Sequence, residues 1–288
     1  MSGGAKVHTG YYPERFSRGF AGGLTGRNSI GLTSARYYPR LRFFWDERAA
    51  TLEDQVLQPI QNSLKMGMTL TGLTARLAVE LVYTDLFKRA FGDPAMTSKR
   101  IAQFVRAIVS YQTKYDQGVL VNFSNFTPQE ALGRQVFLGQ VGRATCTACH
   151  GSDNFVPGNL NNNGIENPSI DLGVGGVTGV PGDIGKFKIS SLRNIALTAP
   201  YMHDGRFATL GQVVEFYNSG VTANPNLSVR SARQLPGHRS EKPRRVESSA
   251  GGVGSGNDLL ISTRDREQER AADSGFLAER GRNDVVRL

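Results

Sequence analysis

Five residues in the second half of the chain have the types and the spacing that attach a haem covalently. Residues 146–150 have the sequence Cys-Thr-Ala-Cys-His. In such a C-x-x-C-H run, two thiols can add to the vinyl groups of one haem, and the adjacent imidazole can bind the iron as proximal ligand. The spacing therefore predicts that Cys146 and Cys149 hold a haem c and that His150 is its proximal iron ligand.

Three other roles are open to this motif from its spacing, and each fits less well. A structural zinc site takes about four Cys and His ligands, whereas Cys146 and Cys149 are the only cysteines of the chain. A thioredoxin-like redox pair would need a βαβ context and gives no role to His150. A disulfide between the two cysteines would close a loop too short to stabilise the fold much. Haem attachment is the favoured interpretation.

Length and composition fit a soluble globular protein. The 288 residues could form one large domain or two modest ones, and 39% of them are hydrophobic. The formal net charge is +9, but the basic residues are scattered and no recognition helix stands out, so we expect an acidic redox partner and no nucleic acid. No apolar run approaches the roughly 20 residues of a membrane span.

The N-terminal residues do not form a secretory signal, because no apolar segment follows residues 1–6. Haem c is normally attached on the outer side of the bacterial inner membrane, so a chain that starts here would not be exported. Either the motif is idle or the natural start lies elsewhere, and we favour the second interpretation.

Helical patterns precede the motif. Residues 1–50 have no clear period and predict loop-rich structure. A helix is expected to begin after Thr51 and to end before Pro59, and two further helices are expected over about 70–91 and 98–116. The third has the clearest apolar face. Its members are Ile101, Phe104, Val105, Ile108 and Tyr111.

Capping boxes bracket the motif. Residues 127–130, Thr-Pro-Gln-Glu, predict a helix start just before the motif, and residues 209–212, Thr-Leu-Gly-Gln, predict a helix that runs to about Tyr217. Between them, residues 151–186 are rich in Gly and Asn and are expected to form a loop over one haem edge. Beyond Ser228 the chain is polar with weak periodicity, which predicts disorder or a sequence not shaped by this fold.

Together, several segments resemble the bacterial di-haem cytochrome c peroxidase family, including its MauG-type relatives. The match extends in the family's order from residue 15 to residue 227. The segments that carry it are 26–29 (Gly-Arg-Asn-Ser), 44–50 (Phe-Trp-Asp-Glu-Arg-Ala-Ala), the motif at 146–150 with its capped helix, 191–194 (Ser-Leu-Arg-Asn) and 198–206 (Thr-Ala-Pro-Tyr-Met-His-Asp-Gly-Arg).

The resemblance implies a mainly α protein with two c-type haem domains. Residues 1–122 would be part of the peroxidatic domain, without its C-x-x-C-H, and residues 123–228 would be a c-type cytochrome domain for electron transfer. Residues 229–288 would be a disordered or aberrant tail. The first motif would lie upstream of residue 1, so this chain would hold one covalent haem c, and a second is expected in full-length members.

The resemblance also gives roles to residues that would otherwise be ordinary core or turn residues. Trp45 corresponds to the tryptophan between the two haems, where its ring can assist electron transfer. Asn28, Thr198 and Pro200 correspond to positions that hold a calcium ion through side-chain and carbonyl oxygens, which suit a hard cation.

The distal iron ligand has two candidates. In the peroxidases it is a methionine about fourteen residues past the histidine that matches His203, and in MauG-type proteins it is a tyrosine. Here that position is Tyr217, which could instead be a core tyrosine, and Met202 is the rival thioether. Tyrosinate would favour ferric iron and methionine ferrous iron. His203 is expected to bond a haem propionate or the loop and not the metal.

One residue departs from the family. A glutamate above the peroxidatic iron serves there as the acid–base group, and the matching run 63–67 places Lys65 at its position. A charged lysine cannot readily accept a proton from peroxide. Gln55 and Pro59 match neighbouring positions but fit helix-end roles equally well.

The leading hypothesis is a periplasmic di-haem peroxidase-like oxidoreductase that takes electrons from a small redox protein and reduces hydrogen peroxide. The first alternative is a non-enzymatic carrier with one haem, or an inactive remnant, which Lys65 and the absent first motif favour. A further alternative is MauG-type oxidation of a protein substrate, which Tyr217 favours. Family members are often homodimers, but no interface is evident from the sequence.

Overall fold

The computed structural model describes residues 14–92, 97–142 and 146–232. Its regular structure is mainly helical, as predicted. The helices are α1 (Leu52–Gln61), α2 (Leu70–Ala78), α3 (Leu81–Phe91), α4 (Ser98–Ala107), α5 (Lys114–Leu120), α6 (Pro128–Phe137), α7 (Thr147–His150), α8 (Gly175–Thr178), α9 (Leu210–Glu215) and α10 (Val229–Ala232). Two short strands, β1 (Leu160–Asn161) and β2 (Phe187–Lys188), pair antiparallel with Leu160 opposite Lys188.

Threonine caps start many of these helices. In each case the hydroxyl accepts the backbone N–H three residues further on, which stabilises a helix start by about 1 kcal/mol. The predicted capping boxes at Thr127 and Thr209 are confirmed, and a third box at Thr113 was missed. The capping threonines are Thr51, Thr69, Thr97, Thr113, Thr127 and Thr209.

The prediction that the first helix ends before Pro59 was wrong. Pro59 lies inside the last turn of α1, which continues to Gln61. At that position the proline forfeits one backbone hydrogen bond, to the carbonyl of Gln55. The turn is still closed beyond it, because Asn62 N donates to Gln58 O at 3.0 Å.

Two predicted helices are each interrupted. Residues 70–91 form α2 and α3, because Glu80 has an extended backbone between them. Residues 98–116 contain α4, which ends at Ala107, and the start of α5, which Thr113 caps anew. Apolar periodicity continues across such a short break, so it overestimates the helix length.

The core of the first half lies between α1 and α4. Phe104 and Tyr111, which were predicted to face it, are 68% and 65% exposed, so this part of the prediction was wrong. Tyr111 lies beyond the end of α4, and Phe104 lies on the flank of α4 away from Ala102. The core residues are Phe43, Phe44, Ala49, Leu52, Val56, Ala102 and Val105.

The described N-terminal segment, residues 14–50, is loop-rich as expected. Its regular structure is a single 3₁₀ turn at Ala35–Tyr37. Long-range ion pairs hold it to the second half. Arg27 binds Asp171 at 2.6 Å and Asp46 at 2.5 Å, so one guanidinium joins the segment to the loop that follows β1.

Most of the predicted C-terminal tail, from residue 233, lies outside the described residues. The part within them is the single turn of α10. Within the described ranges, no helix is long and apolar enough to cross a membrane.

Candidate cofactor site

The C-x-x-C-H motif is wound into the short helix α7. The amides of Cys149 and His150 both donate to the carbonyl of Cys146, at 3.1 and 2.9 Å. Residues three apart lie on one side of a helix, so both thiols face the same side. Cys146 is exposed, Cys149 is half-buried, and neither forms a disulfide. The thiols are thus arranged for attachment to one group.

The hydrogen bonding of His150 selects the tautomer that a metal ligand needs. Its Nδ1 lies 2.9 Å from Phe155 O. A carbonyl oxygen only accepts, so Nδ1 carries the proton and Nε2 keeps a free lone pair. Burial lowers the pKa of His150, which also keeps the ring neutral.

The two candidates for the distal ligand meet at a single amide. Asn163 Nδ2 lies 3.3 Å from Tyr217 Oη and 3.6 Å from Met202 Sδ. Burial raises the pKa of Tyr217 to about 12, and the hydrogen bond from Asn163 opposes this rise. Burial therefore favours the neutral phenol.

Two asparagines in the loop after the motif contact the candidate site residues directly, and neither was identified from the sequence. Asn161 Nδ2 donates to Cys149 Sγ at 2.8 Å, and Asn163 contacts the distal candidates. The loop was predicted to cover a haem edge. A signal was present in the run of three asparagines at 161–163.

A cavity of about 100 Å³ lies between residues 28–45 and 188–202. Three buried polar atoms of its lining side chains have no hydrogen-bond partner within the described part of the chain: Ser34 Oγ, Ser190 Oγ and Arg193 Nε. All three can donate a hydrogen bond. The cavity therefore suits an anionic group.

Lys188 adds a cation to this cavity. Its Nζ lies 3.8 Å from the centroid of the Tyr38 ring, and burial lowers the pKa of Lys188 to about 8. Met202, a distal candidate, also lines the cavity. The cavity is not lined by Cys146, Cys149, His150 or Tyr217. The two free cysteines and the His150 tautomer fit a haem c, and the donors at the cavity could pair with its carboxylates.

Trp45 connects the two halves of the protein. Its indole Nε1–H donates to Asn28 O at 2.7 Å, and its carbonyl accepts from Lys188 N at 2.8 Å. The half-buried ring lines the cavity. The backbone therefore holds Trp45 from both sides.

The structure brings two of the three predicted calcium ligands into contact. Asn28 Nδ2 donates to Pro200 O at 2.6 Å and to Met202 O at 3.2 Å, while Thr198 Oγ1 donates to Ile195 O at 3.1 Å. The amide nitrogen of Asn28, not its oxygen, faces the Pro200 carbonyl. Calcium binding stays a prediction.

His203 is buried, with 5% of its surface exposed. Its ring stacks on Phe187 with the centroids 3.8 Å apart, and its carbonyl accepts from Asn28 N at 2.7 Å. Among the described residues Nε2 has no hydrogen-bond partner. Burial lowers the pKa of His203 despite nearby carboxylates, so a neutral ring is favoured.

Lys65 lies in a cationic setting. Its Nζ is 5.4 Å from the Phe44 ring centroid, and the guanidinium carbon of Arg48 is 3.7 Å from the same centroid. Burial, and then repulsion by Arg48, lower the pKa of Lys65. Gln55, which matches a neighbouring family position, is buried and lines the cavity.

Comparison with known proteins places these features in context. Residues 5–122 match the family model described as di-haem cytochrome c peroxidase. The chain is 35% identical over 192 residues to the methylamine utilization protein MauG of Methylophilus methylotrophus, which covers 64% of this chain and 56% of the relative. It is 31% identical over 244 residues to MauG of Methylorubrum extorquens, with 80% and 67% covered.

A third relative is the cytochrome c551 peroxidase of Nitrosomonas europaea, 34% identical over 180 residues, with 60% of this chain and 53% of the relative covered. The chain thus spans little more than half the length of several relatives.

Solved structures share the fold. A MauG-like protein associated with microbial copper homeostasis is 27% identical, with a TM-score of 0.57 and 76% of this chain and 68% of that chain covered. The diheme peroxidase BthA from Burkholderia thailandensis is 20% identical, with a TM-score of 0.58 and 78% and 68% covered.

Proposed function

The chain belongs to the di-haem cytochrome c peroxidase family, which includes MauG, and we propose that it is a periplasmic oxidoreductase that transfers electrons towards the reduction of hydrogen peroxide. The observation that carries the proposal is that one loop contacts both the motif and Tyr217: Asn161 donates to Cys149 Sγ, and Asn163 donates to Tyr217 Oη.

We infer that this site belongs to an electron-transfer domain over residues 123–228, preceded by part of a peroxidatic domain over residues 1–122. The family match, which ends at residue 122, supports this boundary. A second haem would belong to the peroxidatic domain of full-length members.

When bound, the haem supplies one-electron redox chemistry. Cys146 and Cys149 would anchor it, His150 Nε2 would bind its iron, and the donors of Ser190, Arg193 and Lys188 would face its carboxylates. Tyr217 is the favoured distal ligand, because its oxygen already receives a hydrogen bond from Asn163. As an anion it would favour the ferric state, whereas Met202 would favour the ferrous state.

Trp45 is the residue that we propose to assist electron transfer between the two halves. The indole N–H is held by Asn28 O and the backbone carbonyl of Trp45 by Lys188 N, so the residue needs little reorganisation. The net charge of +9 supports a small acidic redox protein as the electron donor. Calcium, held by Asn28, Thr198 and Pro200, would further fix the N-terminal segment around Asn28 to the segment around Pro200.

Lys65 favours one alternative, a carrier with a single haem and no peroxidase activity. Reduction of hydrogen peroxide to water takes two electrons and two protons, and the family moves those protons with a carboxylate. The ammonium of Lys65, beside Arg48, cannot take that role while it is charged. MauG-type oxidation of a protein remains the second alternative, supported by Tyr217 and by the two MauG relatives.

The test is to produce the protein with an export signal in a host that matures c-type cytochromes. The oxidation of a reduced acidic cytochrome is then followed with and without hydrogen peroxide. Steady peroxide-dependent oxidation supports the peroxidase. Reversible one-electron exchange without peroxide consumption supports the carrier, and absence of both contradicts the proposal.

A further inference from the structure

Asn162 and Asn163, the second and third residues of the asparagine run, lie in a loop that many hydrogen bonds hold in place. Asn162 is 3% exposed. Its backbone N donates to Ser228 Oγ at 3.0 Å, and its Oδ1 accepts from Gly164 N at 2.9 Å. Its Nδ2 donates to Asn224 Oδ1 at 3.2 Å. The residue before Asn163 is therefore fixed in three directions.

The residue after Asn163 is fixed as well. Gly164 O accepts both the backbone N–H and the hydroxyl of Thr222, at 2.9 and 2.6 Å. Gly164 has a φ of +71°, and a Cβ at this position would lie 2.6 Å from Thr222 O. Asn163 is thus held between two anchored neighbours, and its side chain has a defined direction.

That direction brings its amide to both distal candidates. Asn163 Nδ2 has two hydrogens, with Tyr217 Oη at 3.3 Å and Met202 Sδ at 3.6 Å. An oxygen is the better acceptor, since a thioether sulfur accepts only weakly. A hydrogen bond to a charged oxygen is roughly twice as strong as one to a neutral group, so the amide favours Tyr217 most when its oxygen is anionic.

We propose that Asn163 is a positioning residue for the distal ligand: it holds the Tyr217 oxygen at the haem site and, through its hydrogen bond, withdraws electron density from that oxygen. The inference deepens the proposed function, because it rests on a haem being held by the motif. With the hydrogen bond, Tyr217 donates less strongly and the ferric state is less favoured. Without it, the ferric state gains.

The experiment compares Asn163→Leu, which keeps the size but removes the donor, with the haem-loaded parent protein. The expected result is an about tenfold shift of the equilibrium towards ferric iron, which lowers the reduction potential by about 59 mV for a one-electron couple, together with a changed ferric absorption spectrum. Asn163→Asp, of the same shape and without the N–H donor, should lower the potential at least as much and replaces the leucine variant if that variant does not fold.

The decisive arm repeats Asn163→Leu in a Tyr217→Phe background, where the shift should vanish. The control is Asn218→Leu, whose amide is next to Tyr217 in the chain but bonds Glu215, and whose potential should match that of the parent. The proposal is overturned if Asn163→Leu shifts the reduction potential equally in the Tyr217→Phe background, or if it causes no shift in the parent background. Failure of the proposed function is distinct, because the parent protein itself would then carry no covalent haem.

Discussion

The region around Tyr217 buries polar residues, whereas the helix pair α2–α3 exposes apolar ones. Near the site, buried Asn162 bonds Asn224, and the backbone carbonyl of buried His203 accepts from Asn28 N, so both residues are bonded across long stretches of chain. In α2 and α3 no residue is buried, and Leu81 is 81% exposed. Long-range polar contacts position the candidate site, whereas the two helices depend on local signals such as the Thr69 cap.

This difference indicates where stability and function are coupled. Breaking a long-range polar contact near the site should lower the free energy of unfolding of the whole protein, because a buried partner is left without its hydrogen bond. Changes in α2–α3 should remain local, since segments with few buried contacts open at low free energy. Three predictions test this contrast.

The largest effect is expected at Asp116. It binds Arg193 through two hydrogen bonds of 2.8 Å, and the Arg193 side chain is only 6% exposed. Asp116→Ala should lower the free energy of unfolding by about 3 kcal/mol, because it leaves a buried guanidinium without its carboxylate and removes the acidic member of the Thr113 capping box. Denaturant titration measures the change.

The matched control is Asp85→Ala in α3, where Asp85 and Arg89 form an exposed pair at 2.7 Å. It should cost less than about 1 kcal/mol. Equal losses for the two variants would mean that the two regions do not differ in the way described.

A second prediction concerns pH and Lys188. Its folded-state pKa of about 8 lies below the ordinary value of 10.5, so between these values the unfolded chain binds the proton and the folded protein does not. Stability should therefore rise with pH across this window, by about 3 kcal/mol relative to Lys188→Met. Unfolding is measured at intervals from pH 7 to 10.5 in a haem-free Cys146→Ser, Cys149→Ser protein.

The haem-loaded protein sharpens this prediction. A carboxylate beside the ammonium would raise the pKa of Lys188 again. The increase in stability with pH should therefore be smaller than in the haem-free protein. An identical increase in stability with pH, with and without haem, would argue against the cofactor's carboxylates lying in this cavity.

The smallest effect is expected in α2–α3. Leu81→Lys should change the free energy of unfolding by less than about 0.5 kcal/mol, because the side chain is already exposed. Hydrogen exchange should show that the amides of both helices are less protected than those of α1. A loss of more than about 2 kcal/mol would show that the helix pair packs against a further part of the protein.

Local signals in the sequence predicted the parts of the fold that local interactions determine. The capping boxes at Thr127 and Thr209 were identified because each lies within four residues. The box at Thr113, Thr-Lys-Tyr-Asp, was missed because aspartate replaces the usual Glu or Gln. Helix lengths were overestimated because apolar periodicity does not reveal the extended backbone at Glu80. The extended residue Ile108 was missed for the same reason.

In the candidate site, too, some roles follow from neighbouring residues in the sequence, and others depend on contacts that only the folded chain makes. The roles predicted for Cys146, Cys149 and His150 follow from adjacent residues. The contacts of Asn163 with Met202 and Tyr217 join residues 39 and 54 positions apart, and only the folded chain brings them together. The unpartnered donors at the cavity are likewise a property of the three-dimensional packing.

The most direct measurement is the mass of the denatured, exported protein, compared with that of Cys149→Ser. The parent should carry the mass of one haem that survives denaturation and acid–acetone extraction, because two thioether bonds hold it. The variant should lose that double attachment and much of its haem. A colourless parent protein with the mass of the bare chain would contradict the haem site on which the redox function rests.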